Sequence, residues 1–267
     1  MPIHDLFAIR YAWHPEGHSD AQMAFGGNPE LRIEGMDFFI WVIVTEAGKP
    51  IVVDTGFYSG LAKRVGHSPL IEPREGIQML GFDPAKVEDV VITHAHYDHT
   101  GNLKDFPNAR FHFGTTEMAA VTGPLMTHPQ TRAGFGKRDV STLVGFVYDD
   151  RLRFLSDEDV VLPGIRNFIA PGHTAGQLAL EIDTARGPVI LTSDAVHIYS
   201  ELETERPFPV FHDMSDMIMS YRKIKKRALR PDLIVPGHDA DVMRRYPAAS
   251  PDLEGKIVRL DRNPVSG

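Results

Sequence analysis

The densest group of chemically capable side chains lies in residues 93–101, which read THAHYDHTG. Three histidines and one aspartate occupy the six positions from His94 to His99. The chain contains 13 His in 267 residues, so an even distribution would place a histidine at roughly one position in twenty. Imidazole and carboxylate groups are ligands of divalent cations, and their concentration here predicts a metal site.

The spacing within this motif indicates more than one metal. His94 and His96 are two residues apart at the predicted end of a strand, so their imidazoles point the same way and can bind one ion. Asp98 and His99 lie on the turn beyond and can face a second ion. A single tetrahedral zinc cannot readily accept four ligands from six residues and keep a position open for water. The motif therefore predicts two metals.

Four apolar runs that resemble buried strands carry His or Asp at or next to their last position, namely VVITHAH, NFIAPGH, VILTSDA and LIVPGHD. In layered α/β proteins, ligands gather beyond the carboxyl ends of strands, because the loops there project side chains from a fixed sheet. The remaining metal ligands are therefore expected to be His173, Asp194 and His238. The carboxylate of Asp194 can bridge two cations.

Taken in order, the motifs THAHYDHTG, PGHTAG, SDA and PGHD resemble the metallo-β-lactamase superfamily. Within it, HxHxDHTGN and the tail RRYPAASPDLEG are most similar to the N-acyl homoserine lactone lactonase group. The resemblance runs from about Phe38 to the end of the PGHD strand. It implies an α/β protein, a four-layer αββα sandwich with two mixed β-sheets and helices outside, formed by a single domain of residues 1–267.

The resemblance also implies roles for individual residues. One zinc would be held by His94, His96 and His173, the other by Asp98, His99 and His238, with Asp194 between them. Asp54 in VVDTG matches an aspartate that steadies the ligand loop.

His197 is the position at which the sequence departs from the lactonases. They typically place a tyrosine three residues after the bridging aspartate, where its hydroxyl helps to hold the substrate carbonyl, whereas Tyr199 here lies two residues further on. A neutral histidine can donate a hydrogen bond from one ring nitrogen, so His197 is expected to be catalytic. The shorter imidazole favours a bulkier or aromatic lactone over the flexible acyl homoserine type. Packing, or a hydrogen bond to a neighbour, is the alternative role.

The expected reaction follows from two cations that share a water. Coordination lowers the pKa of that water from about 15.7 towards about 7, so hydroxide is available at neutral pH. A metal-bridging hydroxide would attack the carbonyl of an N-acyl homoserine lactone or another small lactone, and Asp98, besides holding a metal, would relay the proton. The alternative is a glyoxalase II-like thioester hydrolase, although the glutathione-binding region usual in that group is not found. An oxygen-reducing iron protein would normally carry Glu in place of His96.

Composition limits the other possibilities. The absence of Cys excludes thiol nucleophiles, thiolate metal sites and disulfides, and among the metals that accept N and O ligands zinc is favoured. The net charge of -8 disfavours nucleic acid as a partner. The start of the chain does not resemble a signal peptide, and the longest apolar run, residues 38–44, is far shorter than the roughly 20 residues of a spanning helix. We therefore expect a cytoplasmic protein without membrane contact, with a small-molecule lactone as partner and a homodimer as the favoured assembly.

Local patterns predict several elements. FFIWVIV and PIVVDTG are separated by EAGK and indicate a hairpin. A helix is expected from Met214 with Asp213 as its cap, and a shorter one from Thr115 to Gly123. Residues 55–82 and 123–150 lack a clean period and are interpreted as lid or insertion segments, and the tail is expected to fray beyond Leu260.

Six other histidines are expected to have structural roles or to lie on surface loops: His14, His18, His67, His112, His128 and His212. Four apolar residues could line an acyl pocket, although core packing is favoured for each: Met23, Phe25, Met79 and Leu80.

Overall fold

A computed structural model describes residues 2–14 and 35–265, which form two β-sheets. Eight strands form the first sheet: β1 (Asp5–His14), β2 (Met36–Val44), β3 (Pro50–Val53), β4 (Ser68–Pro69), β5 (Asp89–Ile92), β6 (Arg110–Gly114), β7 (Leu152–Leu155) and β13 (Ile257–Arg259). Their order is β13-β1-β2-β3-β5-β6-β7, with β4 paired to β1. The predicted hairpin is confirmed, because β2 and β3 pair antiparallel. Strands β3, β5, β6 and β7 run parallel.

The second sheet contains β8 (Val160–Leu162), β9 (Ile165–Ile169), β10 (Leu178–Thr184), β11 (Gly187–Ser193) and β12 (Ile234–Pro236), in the order β12-β11-β10-β9-β8. Strand β10 is antiparallel to both β9 and β11, and β11 is parallel to β12. Strands β9, β11 and β12 therefore point their carboxyl ends to the same edge. Both sheets are mixed, as expected.

Eight α-helices accompany the sheets among the described residues: α1 (Ser59–Val65), α2 (Pro73–Met79), α3 (Tyr97–Thr100), α4 (Thr115–Val121), α5 (Lys137–Tyr148), α6 (Tyr199–Thr204), α7 (Met214–Arg227) and α8 (Asp241–Arg245). Helix α7 begins at Met214 as predicted, and the Asp213 side chain accepts a hydrogen bond from the Asp216 N–H at 2.9 Å. Helix α4 begins at Thr115 and ends two residues before Gly123. None of the described helices is long and apolar enough to cross a bilayer.

Alternation along β2 shows how the layers form. Phe39 and Trp41 enter a core that includes Leu180 of the second sheet, so this core lies between the sheets. Phe38 and Ile40 belong to a different core, which contains residues of α2 and α5. A third core lies between the second sheet and α7. These three cores separate four layers, and the predicted αββα sandwich is confirmed.

The two segments interpreted as lids or insertions contain regular helices, and the prediction about the tail needs correction. Residues 55–82 contain α1 and α2, and residues 123–150 contain α5. Leu143 and Phe146 of α5 are buried against the first sheet, and Val140, Val144 and Val147 pack beside them at helical spacing. The helix begins after Gly136 without a capping side chain, so the sequence gives no start signal for it. Fraying beyond Leu260 is wrong as far as residue 265, since the Asp261 carboxylate accepts from the Leu6 N–H and the Val265 N–H donates to Arg245.

Candidate metal centre

The strand ends bring all seven predicted ligands together. His94 and His96 follow β5, and α3 then carries Asp98 and His99. The second sheet contributes the loops after β9, β11 and β12, whose carboxyl ends share one edge. The seven residues, all buried, fall into two groups: a three-histidine cluster of His94, His96 and His173, and a mixed cluster of Asp98, His99, Asp194 and His238.

Ring nitrogens converge in the three-histidine cluster. Nδ1 of His96 lies 3.2 Å from Nε2 of His94 and 2.8 Å from Nε2 of His173. Ligands held about 2.0–2.1 Å from a tetrahedral zinc are separated from one another by about 3.3 Å, which is close to these distances. A single ring proton on Nδ1 of His96 can serve only one of the other two nitrogens well, whereas one cation accepts the lone pairs of all three. The donor set therefore fits a divalent metal.

The mixed cluster combines nitrogen and oxygen donors at similar distances. Nε2 of His99 lies 3.4 Å from Oδ2 of Asp98 and 3.3 Å from Oδ1 of Asp194. Nε2 of His238 lies 3.1 Å from Oδ2 of Asp194 and 3.7 Å from Oδ2 of Asp98. Nε2 of His99 is buried without a hydrogen-bond partner among the described residues, as expected of a ligand nitrogen.

Asp194 contacts both clusters. Its Oδ2 atom lies 3.4 Å from Nε2 of His173 and 3.9 Å from Nε2 of His94, while the same carboxylate meets His99 and His238 on the other side. This is the placement expected of a carboxylate shared by two ions.

Asp54 holds the ligand loop, as the sequence suggested. Oδ2 lies 2.8 Å from Nδ1 of His99, and the carboxylate accepts from both the N–H and the hydroxyl of Thr93 at 2.8 Å. These contacts direct Nε2 of His99 towards the mixed cluster. Asp54 has φ 62°, in the left-handed region that Asp tolerates better than most residues.

Main-chain carbonyls orient two further histidines. Nδ1 of His238 lies 2.9 Å from the Asp37 carbonyl, and Nδ1 of His173 lies 2.9 Å from the Val210 carbonyl. If each Nδ1 donates its proton, Nε2 presents a lone pair to the centre.

Glu117, on α4, was missed by sequence reasoning. It is fully buried, and its two oxygens accept from the N–H of Ala95 at 3.1 Å and of Gly176 at 2.9 Å. Ala95 lies between two candidate ligands, and Gly176 follows His173 by three residues. A Cβ at Gly176 would lie 2.2 Å from the Glu117 nitrogen, so glycine permits this close approach. Only the tertiary contact distinguishes Glu117 from an ordinary helical glutamate.

The two clusters differ electrostatically. Burial and neighbouring histidines lower the pKa of His94, and burial lowers the pKa of His96 to about 4. Burial alone would also lower the pKa of His99 and His238, but the carboxylates of the mixed cluster outweigh it and raise both. Without metal, the histidines of the mixed cluster therefore favour the protonated form, whereas those of the three-histidine cluster favour the neutral form.

His197 lies at the edge of the centre. Nε2 is 3.4 Å from Oδ2 of Asp194, and the ring stacks on Phe208 with centroids 4.2 Å apart. Nδ1 makes no hydrogen bond among the described residues, and its neighbour Oε1 of Glu201, 3.4 Å away, already accepts from two main-chain N–H groups. Tyr199 does not replace the lactonase tyrosine, because it packs beside the inter-sheet core with Arg245 over its ring.

A cavity of about 610 Å³ opens onto the centre. Its walls include apolar side chains of Met36, Phe38, Phe208 and Val210 and the polar side chains of His14, His67 and Tyr97. Ala133 and Gly134 also line it, so the segments 55–82 and 123–150 both contribute. His67, for which a structural role was expected, therefore also faces the cavity.

The other residues singled out in the sequence have different outcomes. His112 pairs with Asp89 at 2.7 Å between β6 and β5, which is a structural role. Met79 and Leu80 do not line the cavity formed by residues 2–14 and 35–265. His18, Met23 and Phe25 lie outside the described residues.

Comparison with known proteins gives the family. Residues 39–238 match the model of the Metallo-beta-lactamase superfamily. A Bacillus N-acyl homoserine lactonase is 26% identical over 229 residues, covering 79% of this chain and 85% of the relative. Two solved structures share the fold. A quorum-quenching N-acyl homoserine lactone lactonase has a TM-score of 0.73 and 22% identity, and the match covers 90% of this chain and 94% of that one. The dizinc quorum-quenching lactonase AidC, in complex with the product N-hexanoyl-L-homoserine, has a TM-score of 0.66 and 18% identity, and the match covers 89% of this chain and 90% of that one. On the family match, which spans the strand-end motifs of the metal centre, this chain belongs to the metallo-β-lactamase superfamily.

Proposed function

We propose that this protein is a dinuclear metal-dependent lactonase that hydrolyses the ring ester of small lactones, including N-acyl homoserine lactones. The observation that carries the proposal is the position of Asp194, whose carboxylate lies within 3.4 Å of donor nitrogens of both clusters. The lactonase named among the relatives supports the substrate class, since it covers most of this chain.

The seven clustered residues are proposed as the metal ligands, and zinc as the metal. The three-histidine cluster offers nitrogen alone, while the mixed cluster adds carboxylates, and both sets are typical of zinc. Two bound zinc ions would supply Lewis-acid activation of a water and of the substrate carbonyl.

Residues of the chain supply the rest of the reaction. Oδ2 of Asp98 faces Nε2 of both His99 and His238 in the mixed cluster. We propose that this carboxylate also carries the proton from water to the departing ring alkoxide. Breaking the ring C–O bond then yields a hydroxy acid. His197 is proposed to donate a hydrogen bond from Nε2 to the carbonyl oxygen as negative charge develops there. This role needs the tautomer that is protonated at Nε2.

The proposal also covers domain organisation, location, assembly and the class of substrate. We propose one catalytic domain over residues 1–267, a cytoplasmic location, a homodimeric assembly and a small-molecule substrate rather than nucleic acid. The net charge of -8 supports the last point. A glyoxalase II-like thioesterase is less favoured, because relatives that match most of the chain are lactonases.

A substrate panel tests the function. Purified, metal-analysed protein is assayed on acyl homoserine lactones of several chain lengths, alkyl and aromatic lactones, glutathione thioesters and nitrocefin, with lactone turnover repeated in the presence of DNA. We expect close to two divalent ions per chain and the highest kcat/KM on a lactone, unaffected by DNA. Preference for a thioester, or a single ion per chain, would contradict the proposal.

His197 is tested separately. Loss of a donor to a developing oxyanion lowers kcat by about 10²–10³ where that role is complete. Bound zinc would also polarise the carbonyl, so we expect His197→Ala to lower kcat by at least about tenfold, with both metals retained. His197→Tyr should keep activity and shift preference towards acyl homoserine lactones. Turnover of the best lactone at the parent rate by His197→Ala would leave His197 with a packing role alone.

A further inference from the structure

Three aromatic side chains form a hydrogen-bonded chain along the cavity wall. Nε2 of His67 lies 2.9 Å from the hydroxyl of Tyr97, and Nδ1 of His67 lies 3.1 Å from Nδ1 of His14. All three side chains face the cavity that holds the metal centre, and Tyr97 is the residue between the candidate ligands His96 and Asp98. We refer to them as the His14–His67–Tyr97 chain.

The directions of these two hydrogen bonds are coupled through the tautomer of His67. When Nδ1 carries the proton, it donates to His14, and Nε2 accepts the hydroxyl proton of Tyr97. The phenol oxygen can then accept a hydrogen bond from a ligand. When Nε2 carries the proton, it donates to the phenol oxygen, and Tyr97 can donate into the cavity. The His14–His67–Tyr97 chain can therefore form a hydrogen bond with either a carbonyl group or an N–H or O–H group, and only protons need to move.

The surroundings favour a neutral ligand group. Burial, with the neighbouring His14, lowers the pKa of His67 to about 4, so its ring is uncharged near pH 7. The ring centroids of Phe38 and Phe57 lie 4.4 Å and 5.5 Å from that of His67. An uncharged wall among aromatic rings does not offset the cost of desolvating a carboxylate. An amide or a hydroxyl needs only the hydrogen bonds that the chain can supply.

We propose that the His14–His67–Tyr97 chain is a specificity subsite that binds a neutral amide or hydroxyl substituent of the lactone, while the apolar walls of the cavity hold its alkyl portion. The inference rests on the proposed lactonase function. An alkyl lactone without such a substituent would gain nothing from the Tyr97 hydroxyl and would displace water from it, whereas a substituted lactone would pair with it. The subsite therefore selects polar-substituted lactones over alkyl lactones of equal length.

Binding of lactams tests the subsite independently of turnover, because an amide ring resists opening better than an ester. Calorimetry compares an N-acylamino-γ-lactam with an alkyl γ-lactam of equal length on the zinc-loaded protein and on Tyr97→Phe, and kcat/KM is measured on the matching lactones. Loss of one neutral hydrogen bond should weaken binding of the acylamino lactam by about 3- to 10-fold. The alkyl lactam should change by less than about twofold, and kcat/KM should follow through KM.

Two further variants control for packing. Phe38→Leu removes an aromatic cavity wall without a hydrogen-bonding group, so it should weaken both lactams alike. His67→Phe breaks the chain behind Tyr97 and should act in the same direction as Tyr97→Phe. If Tyr97→Phe and His67→Phe weaken both lactams equally, or neither, the subsite is overturned. Selective binding of the acylamino lactam without hydrolysis of any lactone would overturn the proposed function and leave the subsite standing.

Discussion

The three-histidine cluster and the mixed cluster lie side by side, yet they are built from opposite electrostatics. His94, His96 and His173 are buried without a carboxylate of their own, and the pKa of each is lowered. In the mixed cluster, Asp98 and Asp194 raise the pKa of His99 and His238. A cation entering the three-histidine cluster meets ready lone pairs, whereas one entering the mixed cluster must displace protons but gains two negative charges. Two ions of one element can thus be held with different affinities.

Asp194 is the residue whose loss should affect both clusters most. Asp194→Ala removes the only carboxylate that contacts donors of both clusters among the described residues. We expect loss of at least one metal ion per chain and a fall in kcat/KM of at least about 10²-fold, since Lewis-acid stabilisation contributes several kcal/mol and each 1.36 kcal/mol is tenfold. Metal analysis and lactone turnover measure both effects. An Asp194→Ala protein with two ions and full activity would disprove the bridging assignment.

Asp54→Asn should act mainly on the mixed cluster. The amide keeps the shape and tolerates the φ of 62°, but the charged partner of His99 is lost. Changes of this kind lower metal affinity by about 10- to 100-fold. Competition with a chelator of known affinity should show the loss at one of two sites. Equal weakening of both sites would indicate that Asp54 acts through general stability.

Glu117→Gln should act mainly on the three-histidine cluster. The amide NH₂ cannot accept, so the hydrogen bond to Ala95 or to Gly176 is lost, and the loops that carry His94, His96 and His173 loosen. We expect about a tenfold lower affinity at one site, the lower end of such effects.

Asp261→Asn is the matched control, because this buried carboxylate accepts from the Leu6 N–H at 3.3 Å near β1 and β13. It should lower the urea midpoint without changing metal affinity. If it weakens metal binding as much as Glu117→Gln does, Glu117 does not hold the ligand loops specifically.

The smallest expected effect is the pH dependence of the metal-free protein. The raised pKa values of His99 and His238 mean that the folded chain keeps protons that the unfolded chain loses above about pH 6.5, so stability should fall as pH rises from there. The lowered pKa values of the three-histidine cluster act oppositely, and stability should also fall as pH drops from 6.5 towards about 4. Urea midpoints across this range measure both limbs. Zinc-loaded protein should lack the alkaline limb, and a metal-free midpoint that rises steadily above about pH 6.5 would contradict the assignment.

Sequence periodicity predicted the regular elements unevenly. Helix α7 and the β2–β3 hairpin were recovered because each has a clean apolar period and a clear start signal, such as Asp213. Helix α5 was missed although Leu143 and Val147 lie on an apolar stripe, because the helix begins after Gly136 without a capping side chain. Its apolar side packs on the first sheet.

By itself, the sequence determined the family, the layered fold and the identity of the residues that meet at the centre, because ligand chemistry restricts metal donors to few residue types and strand ends restrict their positions. Only the tertiary structure decided how the donors are held and what surrounds them. Glu117, His67 and Tyr97 lie far from their partners along the chain or have several ordinary roles, and a hydrogen bond or a cavity wall is created by proximity in space. Such contacts leave no spacing pattern in the sequence, since they are formed by packing between layers rather than by local periodicity.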